Sequence, residues 1–270
     1  PVLSGEPGLV TAPKAVGCTG PILDPTPGAQ STKYTGGVTA VCAGSNTFPG
    51  AGILAATGAV RATPSMVRVV GNDSVVTNLP EVVPHASAQE KVHAQAWVVG
   101  PGRGTVPEAA AELRAVLERG LPTIIDADAL TILSTCGDLR ELVRDHPCAV
   151  LTPHAGEFER LYAATLGREL DLSKGLGVRL RELSDALDCF ILHKGRITTV
   201  TAPGQKIYGM NAGHSYAATA GSGDVLSGIL GATLAQVDAA EADAETIIME
   251  ILHAAAIHQH AAAIAAHTPD

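Results

Sequence analysis

Short runs of β-branched and other apolar residues alternate along the chain with longer runs that are rich in Ala and Leu. The short runs are apolar almost throughout, which is typical of strands that are covered on both faces. Strands are predicted over residues 37–45, 65–71, 94–102, 122–130, 148–158 and 188–195. Because strands that alternate with helices form βαβ units, the pattern predicts an α/β fold with a mostly parallel sheet and helices on both faces.

The remaining segments complete this outline. The longer runs predict helices over residues 50–62, 106–120, 223–237 and 240–266. Residues 197–210 predict a β-hairpin around Pro203 and Gly204. Residues 1–37 are rich in Pro, Gly and Thr without any periodicity, so we expect an irregular N-terminal arm there. No linker divides the chain, and residues 1–270 are therefore predicted to form a single domain.

Composition narrows the classes of partner and compartment. Hydrophobic residues make up 46% of the chain and charged residues 17%, which fits a well-buried globular core. The net charge of −9 and the 3% of aromatic residues argue against nucleic acid or an anionic membrane as a partner. The five cysteines are odd in number and include no C-x-x-C pair, so we expect a cytoplasmic protein without disulfides. We recognise no signal peptide and no uninterrupted apolar stretch of membrane-spanning length.

Residues that follow the predicted strands are the candidate site residues, because ligands bind at the carboxyl ends of strands in open α/β sheets. Six segments qualify: AGSNTFPGAG (43–52), GPGRG (100–104), DADAL (126–130), LTPHAGEFERL (151–161), HKGRIT (193–198) and NAGHSYAATAGSGDVLSGILGA (211–232). Most of these segments, taken singly, fit an ordinary turn or a helix cap about as well as a site. Their placement on one rim of the sheet favours a ligand site.

The last segment carries the most specific chemistry. Gly221, Ser222 and Gly223 are placed to expose successive backbone N–H groups at a helix start, which is a ready site for an anion. Asp224 follows within the first turn, where it is placed to accept a proton from a substrate hydroxyl. Acids are also favoured in first turns for helix stability alone, so this stretch by itself supports catalysis and capping equally.

Three other strand ends offer polar side chains with two interpretations each. Lys194 leaves an apolar strand and suits a phosphate ligand better than the core. His154 either positions a ligand or makes structural hydrogen bonds, and it has no second His at metal-ligand spacing. Asp126 and Asp128 either bind a metal through water or cap the next helix. We assign no residue as a metal ligand.

Taken together, the segments resemble the ADP/ATP-dependent NAD(P)H-hydrate dehydratases of the ribokinase-like superfamily. The likeness covers roughly residues 24–266 and rests on VVGPGRG, DADAL, LTPHAGEFERL, HKGRIT and NAGHSYAATAGSGDVLSGILGA. It implies a three-layer α/β/α sandwich with a mostly parallel central sheet. It also implies a reaction in which a nucleotide phosphorylates the C6 hydroxyl of hydrated NADH or NADPH and phosphate then leaves.

The resemblance implies a role for each matching position. Asp224 would be the catalytic base, with Gly221, Ser222 and Gly223 stabilising the transferring phosphoryl group. The hydrated dinucleotide would contact Ala51, Gly102, Gly104, His154 and Asp224. ADP or ATP would be bound by Lys194, Gly195, Arg196, Ile197, Thr198 and Gly223. Mg²⁺ would bridge the phosphates, and the chain would form a homo-oligomer.

The chain departs from the family pattern at three places. HSYA (214–217) replaces Asn-Pro-Gly-Met, Ala220 replaces a glycine, and Lys33 lacks the His that usually precedes it. Two alternatives therefore stay open. One is a small-molecule kinase acting on a vitamin-precursor alcohol, with the same Asp224 but a stable phosphorylated product. The other is a non-catalytic protein that binds adenine nucleotides.

Overall fold

The structure is a computed structural model that describes residues 9–11, 25–63 and 65–267. Its strands are β1 (Leu9–Thr11), β2 (Thr39–Cys42), β3 (Val67–Val70), β4 (Val83–His85), β5 (Ala96–Val99), β6 (Thr123–Ile125), β7 (Ala149–Leu151), β8 (Phe190–His193), β9 (Thr198–Thr201) and β10 (Ile207–Met210). Its helices are α1 (Pro49–Ala62), α2 (Ser74–Asn78), α3 (Pro107–Leu117), α4 (Asp128–Thr135), α5 (Gly137–Arg144), α6 (Ala155–Leu166), α7 (Leu176–Leu187), α8 (Ser222–Leu234) and α9 (Ala244–His267).

All of these strands belong to one sheet, in the order β1-β10-β9-β8-β7-β6-β5-β2-β3-β4. Every pairing is parallel except those of β9, which runs antiparallel to both β8 and β10. The chain starts the parallel part at β2, moves outward to β4 and returns to β5 on the other side of β2. The strand order therefore reverses between β2 and β5, which is where such sheets form a ligand crevice.

Helices cover both faces of the sheet. Successive strand residues alternate between two buried clusters, as Ile124 and Ile125 of β6 do. Helices α3 to α7 supply one cluster, and α1, α2, α8 and α9 supply the other. The predicted three-layer α/β/α architecture with a mostly parallel sheet is confirmed.

Direct backbone contact fixes helix α8 against α1. A methyl group at Gly228 would lie 1.9 Å from the carbonyl oxygen of Ala55, and one at Gly58 would lie 2.3 Å from that of Val225. The two helix backbones therefore touch, and no larger residue fits at either glycine. Because the contact involves the first turns of α8, it also holds Asp224 in place relative to the sheet.

The predicted elements are present, most of them with shorter bounds. The hairpin predicted at 197–210 is formed by β9 and β10. The strand predicted over 148–158 ends at Leu151, because α6 already begins at Ala155. The edge strand β4 was not predicted, since Pro84 interrupts its pattern.

One prediction needs correction. The arm predicted for residues 1–37 is not irregular throughout, because Leu9–Thr11 form β1 and pair in parallel with β10. Three residues are too few to show a period, and the rest of 1–24 lies outside the described residues.

Among the described helices, α9 is long and apolar enough to cross a membrane by length and composition alone. Its residues Ile248, Ile251 and Leu252 are fully buried, as in a core helix.

Candidate active site

The carboxyl ends of β6, β7 and β8 and the start of α8 converge at one edge of the sheet. The backbone N–H of Lys194 donates to the carbonyl oxygen of Pro153 at 2.8 Å, and Lys194 and His154 form an isolated parallel bridge. This pairing extends the β7–β8 ladder past the ends of the strands. It brings the segments 151–161 and 193–198 together as the sequence predicts.

Lys194 is the centre of a partly buried charge network. Its Nζ lies 2.6 Å from Oδ1 of Asp126 and 3.9 Å from Oε2 of Glu157. Asp126 is only 1% exposed, and the hydroxyl of Ser227 donates to its second oxygen at 2.7 Å. A methyl group at Gly223 would lie 3.5 Å from Nζ, so the ammonium group is beside the start of α8. The network places a positive charge next to the predicted anion site.

The start of α8 requires a glycine at its N-cap. Gly221 has φ +83°, and a methyl group there would lie 2.4 Å from Cδ1 of Leu54. The first N–H groups of a helix have no acceptor inside it, which leaves them available to a ligand. The N–H of Ser222, however, donates to the carbonyl oxygen of Thr219 at 3.3 Å. The anion site therefore has fewer free backbone donors than the sequence predicts.

A cavity of about 510 Å³ opens on this network. Among the predicted residues, those that line it are His154, Lys194, Gly195, Arg196, Thr198, Ser222 and Gly223. Ile197 does not line it, because its side chain lies beside Gly209 of β10. Within the candidate segment 211–232, the cavity is also lined by Ala212, His214, Ser215, Ala217, Ala218 and Leu226. The walls that were not predicted come from Met210 of β10 and from His258 and Gln259 of α9, which lie outside the candidate segments and carry no motif.

Arg196 links the cavity to the segment in which the chain departs from the family pattern. Its Nη1 donates to the carbonyl oxygen of His214 at 2.8 Å and to the hydroxyl of Ser215 at 3.3 Å. The rings of His214 and Tyr216 lie 4.9 Å apart, and Tyr216 also packs edge-on to His267. HSYA thus forms an ordered wall of the cavity.

His154 combines both interpretations that the sequence offers. Its Nδ1 accepts hydrogen bonds from the backbone N–H groups of Gly156 at 3.1 Å and Glu157 at 3.4 Å. Oε2 of Glu157 accepts from the N–H of His154 at 2.8 Å, which completes a capping box at the start of α6. The side chain is still 56% exposed and lines the cavity. The structure therefore groups His154 with the predicted nucleotide-binding residues and not with the predicted substrate residues Ala51, Gly102 and Gly104.

Ala51, Gly102 and Gly104 form a second locus outside the cavity, at the β2–β5 reversal. Gly102 has φ +63°, and a methyl group there would lie 2.6 Å from Cβ of Ala51. The N–H of Gly104 donates to Oδ2 of Asp128 at 2.7 Å. Arg103 anchors the loop, because its guanidinium binds both carboxylate oxygens of Glu112. These contacts make a fixed surface where the backbone can approach a ligand closely.

Asp224 directly follows Gly223, which lines the cavity, in the first turn of α8. It does not line the cavity, yet the charges of Asp126, Asp128 and Lys194 all act on it. Burial is the main cause that raises the pKa of Asp224 to about 6, the negative charge of Asp126 adds to it, and Lys194 opposes it. A general base works best with a pKa near the working pH. The start of α8 thus places a suitable base next to Gly223 of the cavity, and the charge of Asp128, which binds the N–H of Gly104, also acts on it.

Asp126, considered above as a metal ligand or a helix cap, instead binds Lys194 and Ser227 through its two carboxylate oxygens, and no side chain caps α4. Its partner Lys194 is 68 positions away along the chain, so no local spacing connects them. Across the described residues there is no group of three or more His, Cys, Asp or Glu side chains that would hold a metal ion.

A family model for NAD(P)H-hydrate dehydratases matches residues 39–269. The chain is 41% identical over 266 residues to a bifunctional NAD(P)H-hydrate repair enzyme of Corynebacterium glutamicum, covering 92% of this chain and 46% of the relative. It is 35% identical over 216 residues to an ADP-dependent (S)-NAD(P)H-hydrate dehydratase of Neisseria meningitidis, covering 77% of this chain and 72% of the relative. The chain thus spans about half the length of the bifunctional relatives.

Comparison with solved structures identifies the fold. A ribokinase-like superfamily protein of Enterococcus faecalis matches with a TM-score of 0.77 at 22% identity, covering 97% of this chain and 90% of that one. The Bacillus subtilis ADP/ATP-dependent NAD(P)H-hydrate dehydratase, co-crystallised with ATP and Mg²⁺, matches with a TM-score of 0.71 at 25% identity, covering 91% and 88%. The fold is ribokinase-like, and together with the family match this shows that the chain belongs to the NAD(P)H-hydrate dehydratase family.

Proposed function

We propose that this protein dehydrates NADH and NADPH that carry a hydroxyl at C6 of the nicotinamide ring, with ADP or ATP as the phosphoryl donor. The observation that carries the proposal is Asp224, a half-buried base with a pKa of about 6 at the start of α8. It directly follows Gly223, which lines a cavity of about 510 Å³, and a cavity of this volume is large enough for a nucleotide. Family membership supports the choice of substrate.

The nucleotide is assigned to the cavity. Lys194, Arg196 and Thr198 line it, and the Lys194 ammonium lies beside Gly223, where a terminal phosphate would meet the free N–H groups of α8. Gly195 and Gly223 leave room for the phosphates to approach the backbone. Ile197 supports the site from behind, and His154 contacts the nucleotide from the edge of α6.

The hydrated nicotinamide is assigned to the opposite side of Asp224, against Ala51, Gly102 and Gly104. Asp224 takes the proton of the C6 hydroxyl as that oxygen attacks the terminal phosphorus of the nucleotide. The bond from this phosphorus to its bridging oxygen breaks, and AMP leaves from ADP, or ADP from ATP. The donors at Gly221 to Gly223 stabilise the charge on the transferring group.

Elimination then completes the repair. The C6–O bond breaks and its electron pair leaves with inorganic phosphate, a far better leaving group than hydroxide. The lone pair of the ring nitrogen next to C6 forms an iminium as this happens. Loss of a proton from C5 restores the dihydropyridine, so the products are NADH or NADPH, phosphate and the shortened nucleotide.

Mg²⁺ is proposed to accompany the nucleotide and to neutralise the charge of its phosphates. The carboxylates of Asp126 and Glu157 are bonded to Lys194, Ser227 and the backbone of His154 and do not line the cavity. The phosphate oxygens and water would therefore supply the shell of the ion, which Mg²⁺ readily accepts. A ready-made protein cage is not needed.

The remaining proposals concern the whole protein. We treat residues 1–270 as one domain, since the described strands share a single sheet. We place the protein in the cytoplasm, where its described cysteines stay free. Self-association is proposed through α9, on which Ile257 and Ile264 are 39% and 54% exposed.

The test is a repair assay with hydrated NADH, Mg²⁺ and either ADP or ATP. Recovery of the NADH absorbance with an equal amount of released phosphate is expected. Asp224→Asn should lose this turnover and still bind nucleotide, whereas the control Asp138→Asn, in the first turn of α5, should keep both. No recovery with either nucleotide contradicts the proposal, and a stable phosphorylated product identifies a small-molecule kinase instead.

A further inference from the structure

His258 of α9 lies directly behind the anion site, although no motif marks it. Its Nε2 is 2.9 Å from the hydroxyl oxygen of Ser222, the first residue of α8. The residue is 7% exposed and borders the nucleotide cavity. Its other ring nitrogen, Nδ1, is buried and has no hydrogen-bond partner among the described residues. The polar contacts of the imidazole are thus all with Ser222, through its hydroxyl and its backbone.

The protonation of the ring follows from its surroundings. Burial lowers the pKa of His258, so the imidazole is neutral and carries a single N–H. If Nδ1 held the hydrogen, a buried donor would have no acceptor, and orphaned donors are rare in folded proteins. With the hydrogen on Nε2, the N–H donates to Ser222 and only an acceptor stays unpaired. The tautomer with Nε2–H is therefore favoured.

This tautomer decides what the Ser222 hydroxyl can do. A hydroxyl that accepts from His258 keeps its own hydrogen free to donate elsewhere. Ser222 lines the cavity beside Gly223, and its backbone N–H is already bonded to Thr219. The hydroxyl can thus take the place of the backbone donor that the anion site lacks. Ser227, the other serine near the start of α8, is bonded to Asp126 and is unavailable.

We propose that His258 is a positioning residue for phosphoryl transfer: its Nε2–H holds the Ser222 hydroxyl so that this hydroxyl donates to the transferring phosphoryl group. The inference rests on the proposed function for the identity of the reaction. It extends the anion site from the backbone of α8 to a side-chain relay that begins on α9. The relay acts on the transition state more than on the bound nucleotide, because the charge on the phosphoryl oxygens is redistributed there.

The kinetic test compares Ser222→Ala, His258→Leu, the double variant and His258→Gln. Loss of one such donor should lower kcat roughly tenfold to hundredfold in Ser222→Ala and in His258→Leu, with the KM for nucleotide changed less than about twofold. The double variant should be no slower than Ser222→Ala. His258→Gln should recover most of the activity, because its amide N–H reaches the position of Nε2. The control His260→Leu, exposed on the same helix, should keep the wild-type kcat.

Three results would overturn the relay: wild-type kcat in Ser222→Ala, wild-type kcat in a folded His258→Leu, or a further loss when His258→Leu is added to Ser222→Ala. Thermal unfolding of each variant checks the fold, and if His258→Leu does not fold, Ser222→Ala and His258→Gln decide. A wild-type protein without turnover refutes the proposed function, and NMR of the ring nitrogens then tests the relay by itself. The His258 signals, assigned by their absence in His258→Gln, should show the hydrogen on Nε2, and a hydrogen on Nδ1 would overturn the inference.

Discussion

Asp224 should destabilise the folded protein at the pH where it works as a base. The pKa of its carboxyl is raised from 3.8 to about 6, mainly by burial and then by the charge of Asp126. This rise corresponds to at most ~3 kcal/mol against the ionised form. Because the carboxyl is only half buried, solvent screening reduces the value to roughly 1.5 kcal/mol. A negative charge is favoured at a helix start, and this offsets about 0.5 kcal/mol of the destabilisation. Asp224→Asn should therefore stabilise the fold by about 1 kcal/mol at pH 8.

The sign of the pH dependence follows from the direction of this shift. A raised pKa means that the folded state binds the proton more tightly than the unfolded chain does. Below a pH of about 4 both states are protonated, and the variant should match the wild type. Between about pH 4 and pH 6 the unfolded chain ionises first, so the wild type loses stability relative to Asp224→Asn. Above about pH 6 the difference should be constant.

Urea denaturation at pH 5, 6.5 and 8 measures this difference. The advantage of Asp224→Asn should grow from pH 5 to pH 6.5 and change little by pH 8, while turnover in the repair assay falls by at least about a hundredfold. The control Asp138→Asn removes an acid from another first turn, where it pairs with Arg114 on the surface. It should change the free energy of unfolding by less than about 1 kcal/mol at every pH. A variant of Asp224 that is less stable than the wild type at pH 8, or whose advantage does not vary with pH, would refute the reasoning.

Two further predictions concern the neighbours of the base. Lys194→Met should lower the free energy of unfolding by roughly 3 kcal/mol, because Asp126 is left buried without its cation, and it should weaken ADP binding measured by calorimetry. Unchanged stability would mean that Asp126 finds another partner. Gly102→Ala and Gly104→Ala both place a side chain at positive φ, at about 1 kcal/mol each, but only the Gly102 methyl meets Ala51. Gly102→Ala should therefore lose more stability and raise the KM for the hydrated dinucleotide, and equal losses would contradict this.

The sheet was predictable because its strands are buried on both faces. Runs such as residues 122–130 and 188–195 are apolar enough to mark β6 and β8 without any knowledge of their neighbours. The order of the strands was not predictable from periodicity. A run of apolar residues does not identify the strand with which it will pair. The local sequence therefore does not show that β5 lies beside β2.

The site was predictable as a set of strand ends but not as two loci. Ligands bind at the carboxyl ends of strands in open α/β sheets, and this rule predicts Lys194, His154 and Asp224 at one edge of the sheet. The structure places them at that edge. The rule says nothing about which side of α8 each residue takes. That division depends on α8 being held against α1 by Gly58 and Gly228, whose contact is visible only in three dimensions. The sequence therefore did not show that His154, predicted to contact the substrate, lines the same cavity as Lys194 and Arg196.

The sequence alone left Asp224 equally suited to capping a helix and to catalysis, and the structure separates the two. An acid that caps a helix accepts backbone hydrogen bonds, which lower its pKa. Asp243 does this before α9, where hydrogen bonds from the Thr246 side chain and from the Thr246 backbone N–H, at 2.8 Å, lower its pKa. No side chain caps α8, and the pKa of Asp224 is raised, mainly by burial and then by the negative charge of Asp126. Helix stability alone does not select two neighbouring carboxylates at such a position. The role of general base proposed for Asp224 accounts for them, because that role needs a carboxyl with a pKa near neutral pH.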